Sequence, residues 1–176
     1  LIDAVLIDAD LRDAHLGHAK LNGADLTGAD LTGAKITGAK FNKANLTGAN
    51  LTDAYLINAD LTAANLRGTK LCRANLRDAN LRFSDLTDAN FCFAVLSYAN
   101  LRYANLTGSK LENAQLYNAD LSYANLTGAN LYYADLSKTD FTGANLTDAK
   151  MPSGFYKDQK IKVKKSSETE ISGPDM

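Results

Sequence analysis

The chain has 176 residues, 45% of them hydrophobic, and a formal net charge of −1 at pH 7. That length holds a single domain, and the near-neutral charge argues against a general polyanion binder. No apolar run is long enough to cross a bilayer and no secretory signal opens the sequence. The chain starts inside a repeat without Met, which reads as a processed or trimmed product.

From Leu1 to Met151 a five-residue repeat runs without a break. Setting every fifth residue from Leu1 in one column gives 31 residues, of which 26 are Leu; the others, Ile36, Phe41, Phe91, Phe141 and Met151, are also apolar. The column two residues earlier, Ala4 to Ala149, holds 26 Ala among 30, and its exceptions are the small hydroxyl residues Thr69, Ser84, Ser109 and Thr139. Asp or Asn stands between the two, as at Asp10, Asp25, Asn45 and Asn80, so the unit is A-(D/N)-L-x-x. The last two positions carry Thr, Arg, Ser, Gly, Asp and Tyr and should face solvent. A helix repeats apolar residues near 3.6 and a strand at 2, so a period of 5 fits neither. Self-similarity at a short fixed period instead signals a solenoid, with the Leu and Ala columns inside.

The uninterrupted run of ANLTG, ADLTG, ANLRD and ADLSY resembles the pentapeptide repeat family over about 150 of the 176 residues. The resemblance implies an all-β fold: a right-handed quadrilateral β-helix with four pentapeptides per 20-residue coil and about seven coils. Residues 1–151 would form the β-helix, 152–165 a C-terminal capping segment and 166–176 a disordered tail. Four Leu per layer would fill a small square interior, and Ala would set its gauge, because a bulkier residue there overpacks the core.

Along the chain, Ile2, Val5 and Ile7 place apolar groups in outward columns, which suggests an end that packs against a cap or a second copy. His15 and His18 form an H-x-x-H with no third ligand, so no metal and no cofactor is expected. The Thr column Thr27, Thr47, Thr87, Thr107, Thr127 and Thr147 runs beside Gly28, Gly48, Gly68, Gly108 and Gly128 and reads as strand end plus turn. Arg67, Arg73, Arg77, Arg82 and Arg102 make a basic belt in the middle coils. Arg82 and Arg102 are predicted to stack, and Asp78, Asp85 and Asp88 are near enough to pair some of the belt. Cys72 and Cys92 are 20 residues apart and are expected one above the other as reduced thiols.

Phe83, Tyr103 and Tyr123 fall at 20-residue intervals as an aromatic ladder. Phe93 and Tyr133 are placed on a neighbouring face, and Tyr98, Tyr117 and Tyr132 lie in the same half of the rod. Such residues either stack to stabilise a β surface or mark a partner-binding patch, with Arg82 and Arg102 beside it. At the end Pro152 breaks the register. The segment MPSGFYKD resembles the closing segment of cyanobacterial members of the family, with Phe155 and Tyr156 as a lid.

No nucleophile elbow, phosphate-cradling glycine loop or buried carboxylate pair is present, so an enzyme is not expected. The leading expectation is a non-catalytic structural or protein-interaction rod that meets a protein partner, with no nucleic acid and no membrane span, and able to form an end-to-end homodimer. The alternative drawn from the resemblance is a DNA-mimicking gyrase or topoisomerase binder of the quinolone-resistance type. The near-neutral charge and the basic belt depart from that branch's acidic rod. The resemblance points to a bacterial source. The cytoplasm is the expected compartment, or the periplasm or thylakoid lumen if a signal peptide has been removed.

Overall fold

The structure, a computed structural model, describes residues 1–155. Each residue at the Asp/Asn position pairs in parallel with the residue 20 further on, from Val5 with Asp25 to Asn130 with Lys150. The chain therefore climbs by one layer every 20 residues, and four pentapeptides make the four faces of a right-handed quadrilateral β-helix. Residues 1–140 complete seven coils, and 141–150 supply two faces of an eighth, followed by 151–155.

Backbone hydrogen bonding explains why the unit has five residues. In each pentapeptide the Leu N–H donates to the Asp/Asn-position carbonyl of the next coil, as from Leu26 to Asn45 at 2.7 Å. The third N–H donates to the second-position carbonyl of the next coil, as from Gly28 to Thr47 at 3.0 Å, and the fifth donates back to the preceding coil, as from Asp25 to Ala4 at 2.9 Å. The fourth N–H closes a turn onto the Leu carbonyl, as from Ala29 to Leu26 at 3.0 Å. The remaining N–H, at the second position, is capped by the side chain of the Asp or Asn two residues earlier: Thr27 donates to Asp25 Oδ1 at 3.0 Å and Thr47 to Asn45 Oδ1 at 3.2 Å. The Asp/Asn column thus accepts the one N–H that the ladders leave unpaired.

Positions two and three are the central residues of a β-turn, and φ is positive at the third position of every repeat, between 52° and 69°. Positive φ there alone defines a type II turn, which favours Gly or Asn. Thr27 and its ladder mates are consequently turn residues and not strand ends, contrary to the expectation for the Thr-Gly pairs. Their hydroxyls donate to the same carboxylate or amide oxygen that caps their N–H, as in Thr27 to Asp25 at 2.6 Å.

The core follows the columns. Leu21 to Leu131 and Ala24 to Ala129 are essentially solvent-free, with Phe41 and Phe91 the largest side chains fully enclosed. Thr69 and Thr139 satisfy their buried hydroxyls on the carbonyls of Leu46 and Leu116, each at 2.8 Å, and Ser84 donates to Leu81 at 2.7 Å. Ser109 Oγ is buried without a partner among the described residues. Phe155 is buried edge-on against Phe141, with ring centroids 5.5 Å apart. Tyr156, most of the segment 152–165 and the whole of 166–176 lie outside the described residues. Ile2, Val5 and Ile7 are exposed in the first coil.

Candidate functional site

Among the described residues, six of the nine aromatic residues outside the core stand at the third position of the repeat, where the backbone is left-handed. Phe83, Phe93, Tyr98, Tyr103, Tyr123 and Tyr133 have φ between 60° and 63° except Tyr103 at 59°. A bulky side chain in that region costs roughly 1 to 2 kcal/mol, which Gly or Asn largely avoids. Every one of the six is exposed, from 43% for Tyr98 to 80% for Tyr133. The conformation follows from the turn and is common to all faces. The choice of an aromatic residue there is not something the fold requires, since Gly fills the same position at Gly28, Gly48 and Gly68.

On the first face Phe83, Tyr103 and Tyr123 stack in successive layers, with centroids 5.2 and 5.1 Å apart and ring planes within 3° and 11° of parallel. The Tyr123 ring comes to rest over Gly143, where a Cβ would stand 2.7 Å from the ring. Arg82 lies over the Phe83 ring at 5.2 Å, and Arg102 reaches both Tyr103 at 5.6 Å and Tyr123 at 5.8 Å.

Phe93 is ten residues from Phe83 and Tyr103, and Tyr133 is ten from Tyr123; ten residues are half a coil, so both stand on the opposite face and not on a neighbouring one. A five-residue face makes ten residues two corners, which the expectation miscounted. Tyr132 tilts against Tyr133 at 6.3 Å on that opposite face. Tyr98 and Tyr117 occupy the fourth face in an edge contact of 5.5 Å, flanked by Arg77 over Tyr98 and Lys138, whose Nζ donates to Tyr117 Oη at 3.0 Å. That ammonium holds the Tyr117 hydroxyl below its ordinary pKa. The predicted patch is therefore three aromatic groups on three faces, of which only the Phe83 group forms a continuous stack with arginines.

The basic belt is mostly paired at the surface. Arg73 forks onto Asp53 through two bonds of 2.7 Å, Arg77 meets Asp78 at 3.3 Å, Arg67 meets Asp85 at 3.4 Å and Arg102 meets Asp120 at 3.5 Å. Asp88, expected as a further partner, instead leans over Gly108. Arg82 makes no ion pair among the described residues. Cys72 and Cys92 are free and half-buried; Cys92 Sγ donates to Glu112 at 3.3 Å, and burial followed by that carboxylate pushes its thiol up to about 11. A thiol held protonated in this way is a poor nucleophile. Among the described residues no group of His, Cys, Asp and Glu is arranged to hold a metal ion. No helix among them is long and apolar enough to cross a membrane.

Sequence reasoning missed the left-handed setting of the aromatic residues and the capping role of the Asp/Asn column. Both had a signal. The third position is otherwise rich in Gly, Asp and Asn, the residues that tolerate positive φ, and Asp or Asn two residues ahead of a turn N–H is an Asx-turn pattern.

These features define a β-solenoid scaffold whose variable information is carried by two outward positions per repeat. The pentapeptide repeat description matches residues 9–48, 39–78, 74–113 and 109–148, and the chain belongs to the pentapeptide repeat family. Among solved structures it is similar to HetL, a pentapeptide repeat protein involved in heterocyst differentiation regulation from the cyanobacterium Nostoc sp. strain PCC 7120, at 32% identity over 88% of this chain and 87% of that one, with a TM-score of 0.56. It is also similar to trypsin-treated QnrB1, a plasmid-mediated fluoroquinolone resistance protein, at 19% identity over 82% of this chain and 84% of that one, with a TM-score of 0.64; that likeness concerns the fold alone. Among curated proteins none matches at a significant level.

Proposed function

We propose that the protein is a non-catalytic rod that presents its aromatic and arginine surface to a protein partner. The observation that supports this reading is the placing of six exposed aromatic residues at left-handed positions that the fold fills elsewhere with Gly, Asp or Asn. Local strain that the fold does not require, coinciding with exposed apolar area, is characteristic of a recognition surface. The first face, with its stack of Phe83, Tyr103 and Tyr123, is the most continuous part of that surface.

A DNA-mimicking reading would need an acidic stripe along the rod. The Asp/Asn columns instead mix Asp with Asn and Lys, as in Lys70, Asn90, Lys110, Asn130 and Lys150 down one edge. The interaction reading is therefore preferred.

The test is affinity capture from a cyanobacterial lysate with the wild-type rod as bait, against a Tyr103→Asn/Tyr123→Asn control. Asn tolerates positive φ, so the control keeps the turn while removing the rings. Partners present with the wild type and lost with the control support the proposal. An identical or empty catch returns the ladder to surface packing.

A further inference from the structure

We propose that Arg82 is the centre of a carboxylate-binding site and that its face docks an acidic segment of a protein partner, an inference that rests on the interaction reading above. The argument comes from the register. Two of the second-position arginines reach the residue 18 further on, in the next layer. For Arg67 that residue is Asp85, at 3.4 Å, and for Arg102 it is Asp120, at 3.5 Å. For Arg82 it is Asn100. Where Arg67 and Arg102 receive a carboxylate from the rod itself, the position 18 residues on from Arg82 holds a neutral amide.

That amide has its oxygen occupied. Asn100 Oδ1 accepts the backbone N–H of Arg102 at 3.2 Å, which leaves Nδ2 as a donor. Elsewhere the same Nδ2 donates to the Thr hydroxyl 18 residues earlier, as from Asn105 to Thr87 at 2.9 Å and from Asn125 to Thr107 at 3.0 Å. At Asn100 the residue in that place is Arg82, which has no acceptor to offer. Arg82 Nε is itself buried and without a hydrogen-bond partner among the described residues. A guanidinium and an amide donor thus stand together with no acceptor between them. A carboxylate from outside, planar and able to take two parallel N–H bonds from the terminal nitrogens of the guanidinium, completes the set.

The aromatic stack selects the class of partner. Its rings spend their faces on one another and on the arginines, and the Tyr123 ring lies over Gly143, so edges are what remain exposed. Ring edges carry the positive side of the aromatic quadrupole and favour acidic groups, whereas a nucleic acid needs free ring faces for its bases and a broad positive field. An acidic peptide carrying aromatic side chains matches both halves of the face.

The probe is a random copolymer of glutamate and tyrosine, titrated into ¹⁵N-labelled protein while the arginine Nε–Hε resonances are followed by NMR. The Arg82 resonance should move most. Asn100→Asp, which installs for Arg82 the carboxylate that Asp120 provides for Arg102, should weaken binding about tenfold. Asp120→Asn should free Arg102 and tighten it several-fold. Both changes fall in a column that already holds Asp60, Asn80, Asp120 and Asp140, so the fold accommodates them. Unchanged affinity in Asn100→Asp overturns the proposal, as does a single-stranded thymidine oligonucleotide that displaces the copolymer at equal concentration. A lysate catch that depends on Tyr103 and Tyr123 but is indifferent to Asn100→Asp leaves the interaction rod standing and removes the carboxylate site. Copolymer binding at Arg82 with an empty catch does the reverse.

Discussion

Ser109 and Thr69 share the small inward column, yet their hydroxyls are treated differently by the core. Thr69 donates to the Leu46 carbonyl, whereas Ser109 Oγ is buried with no partner among the described residues. Burying an unpaired hydroxyl costs about 1 to 3 kcal/mol. Ser109→Ala, which restores the commonest residue of the column, should therefore raise stability by about 1 kcal/mol in urea unfolding, while Thr69→Ala should lower it by a similar amount. The left-handed aromatic residues make a second contrast. Phe93 has no ring partner among the described residues, so Phe93→Asn should relieve strain and stabilise by about 1 kcal/mol. Tyr103 has two stacked neighbours, each worth about 0.5 to 1.5 kcal/mol, which offset its strain. Tyr103→Asn should be neutral or destabilising in the same urea titration, and a stabilisation equal to that of Phe93→Asn would show that the stack contributes nothing.

At the scale of one face, the second-position Thr and the Asp/Asn column join into a side-chain ladder. Asn145 Nδ2 donates to Thr127 Oγ1 at 3.0 Å, Thr127 to Asn125 at 2.7 Å, Asn125 to Thr107 at 3.0 Å and Thr107 to Asn105 at 2.7 Å. Each Thr both donates to its own cap and accepts from the next layer, so one hydroxyl links two coils. Thr107→Val keeps the shape and removes both bonds. Its cost should be about 1 to 2 kcal/mol in thermal or urea unfolding, and a cost near zero would mean that water replaces the ladder freely. The same spacing explains why Arg67 can interrupt the Thr column without breaking it: Arg67 keeps the backbone cap to Asn65 at 3.2 Å and replaces the hydroxyl link by an ion pair to Asp85.

Over the whole rod the capped aspartates tie stability to pH. Hydrogen bonds from the Thr27 and Thr32 hydroxyls, followed by their backbone N–H groups, hold Asp25 and Asp30 below the usual carboxylate range, and Thr142 does the same for Asp140. The Arg12 side chain holds Asp10 at about 2. A carboxylate whose pKa is lower folded than unfolded stabilises the fold above the unfolded value, near 4, and that contribution is lost as pH falls through the folded value. The melting temperature should therefore be level from pH 7 to 5 and fall between about pH 4 and 2. Asn occupies the same column elsewhere and accepts the same bonds, as Asn45 does from Thr47. The triple variant Asp25→Asn/Asp30→Asn/Asp140→Asn should keep the fold and fall less steeply on acidification. An unaltered acid slope would place the pH dependence in other groups.

The Leu and Ala columns made the solenoid, its inside and its outside legible from residue order alone, because a strict period of five admits one way of burying every apolar side chain. The 20-residue coil came from family resemblance; the tertiary structure shows it directly in the pairing of each residue with the one 20 further on. Which outward groups share a face follows only once five-residue sides close into a square, and that closure puts Phe93 and Tyr133 opposite the Phe83 stack. Nor could local sequence show that Arg82 Nε is buried without a hydrogen-bond partner among the described residues where Arg102 meets Asp120. Hydrophobic burial acts along a column and is written into composition, whereas the balance of donors and acceptors between layers exists only once the coils are stacked.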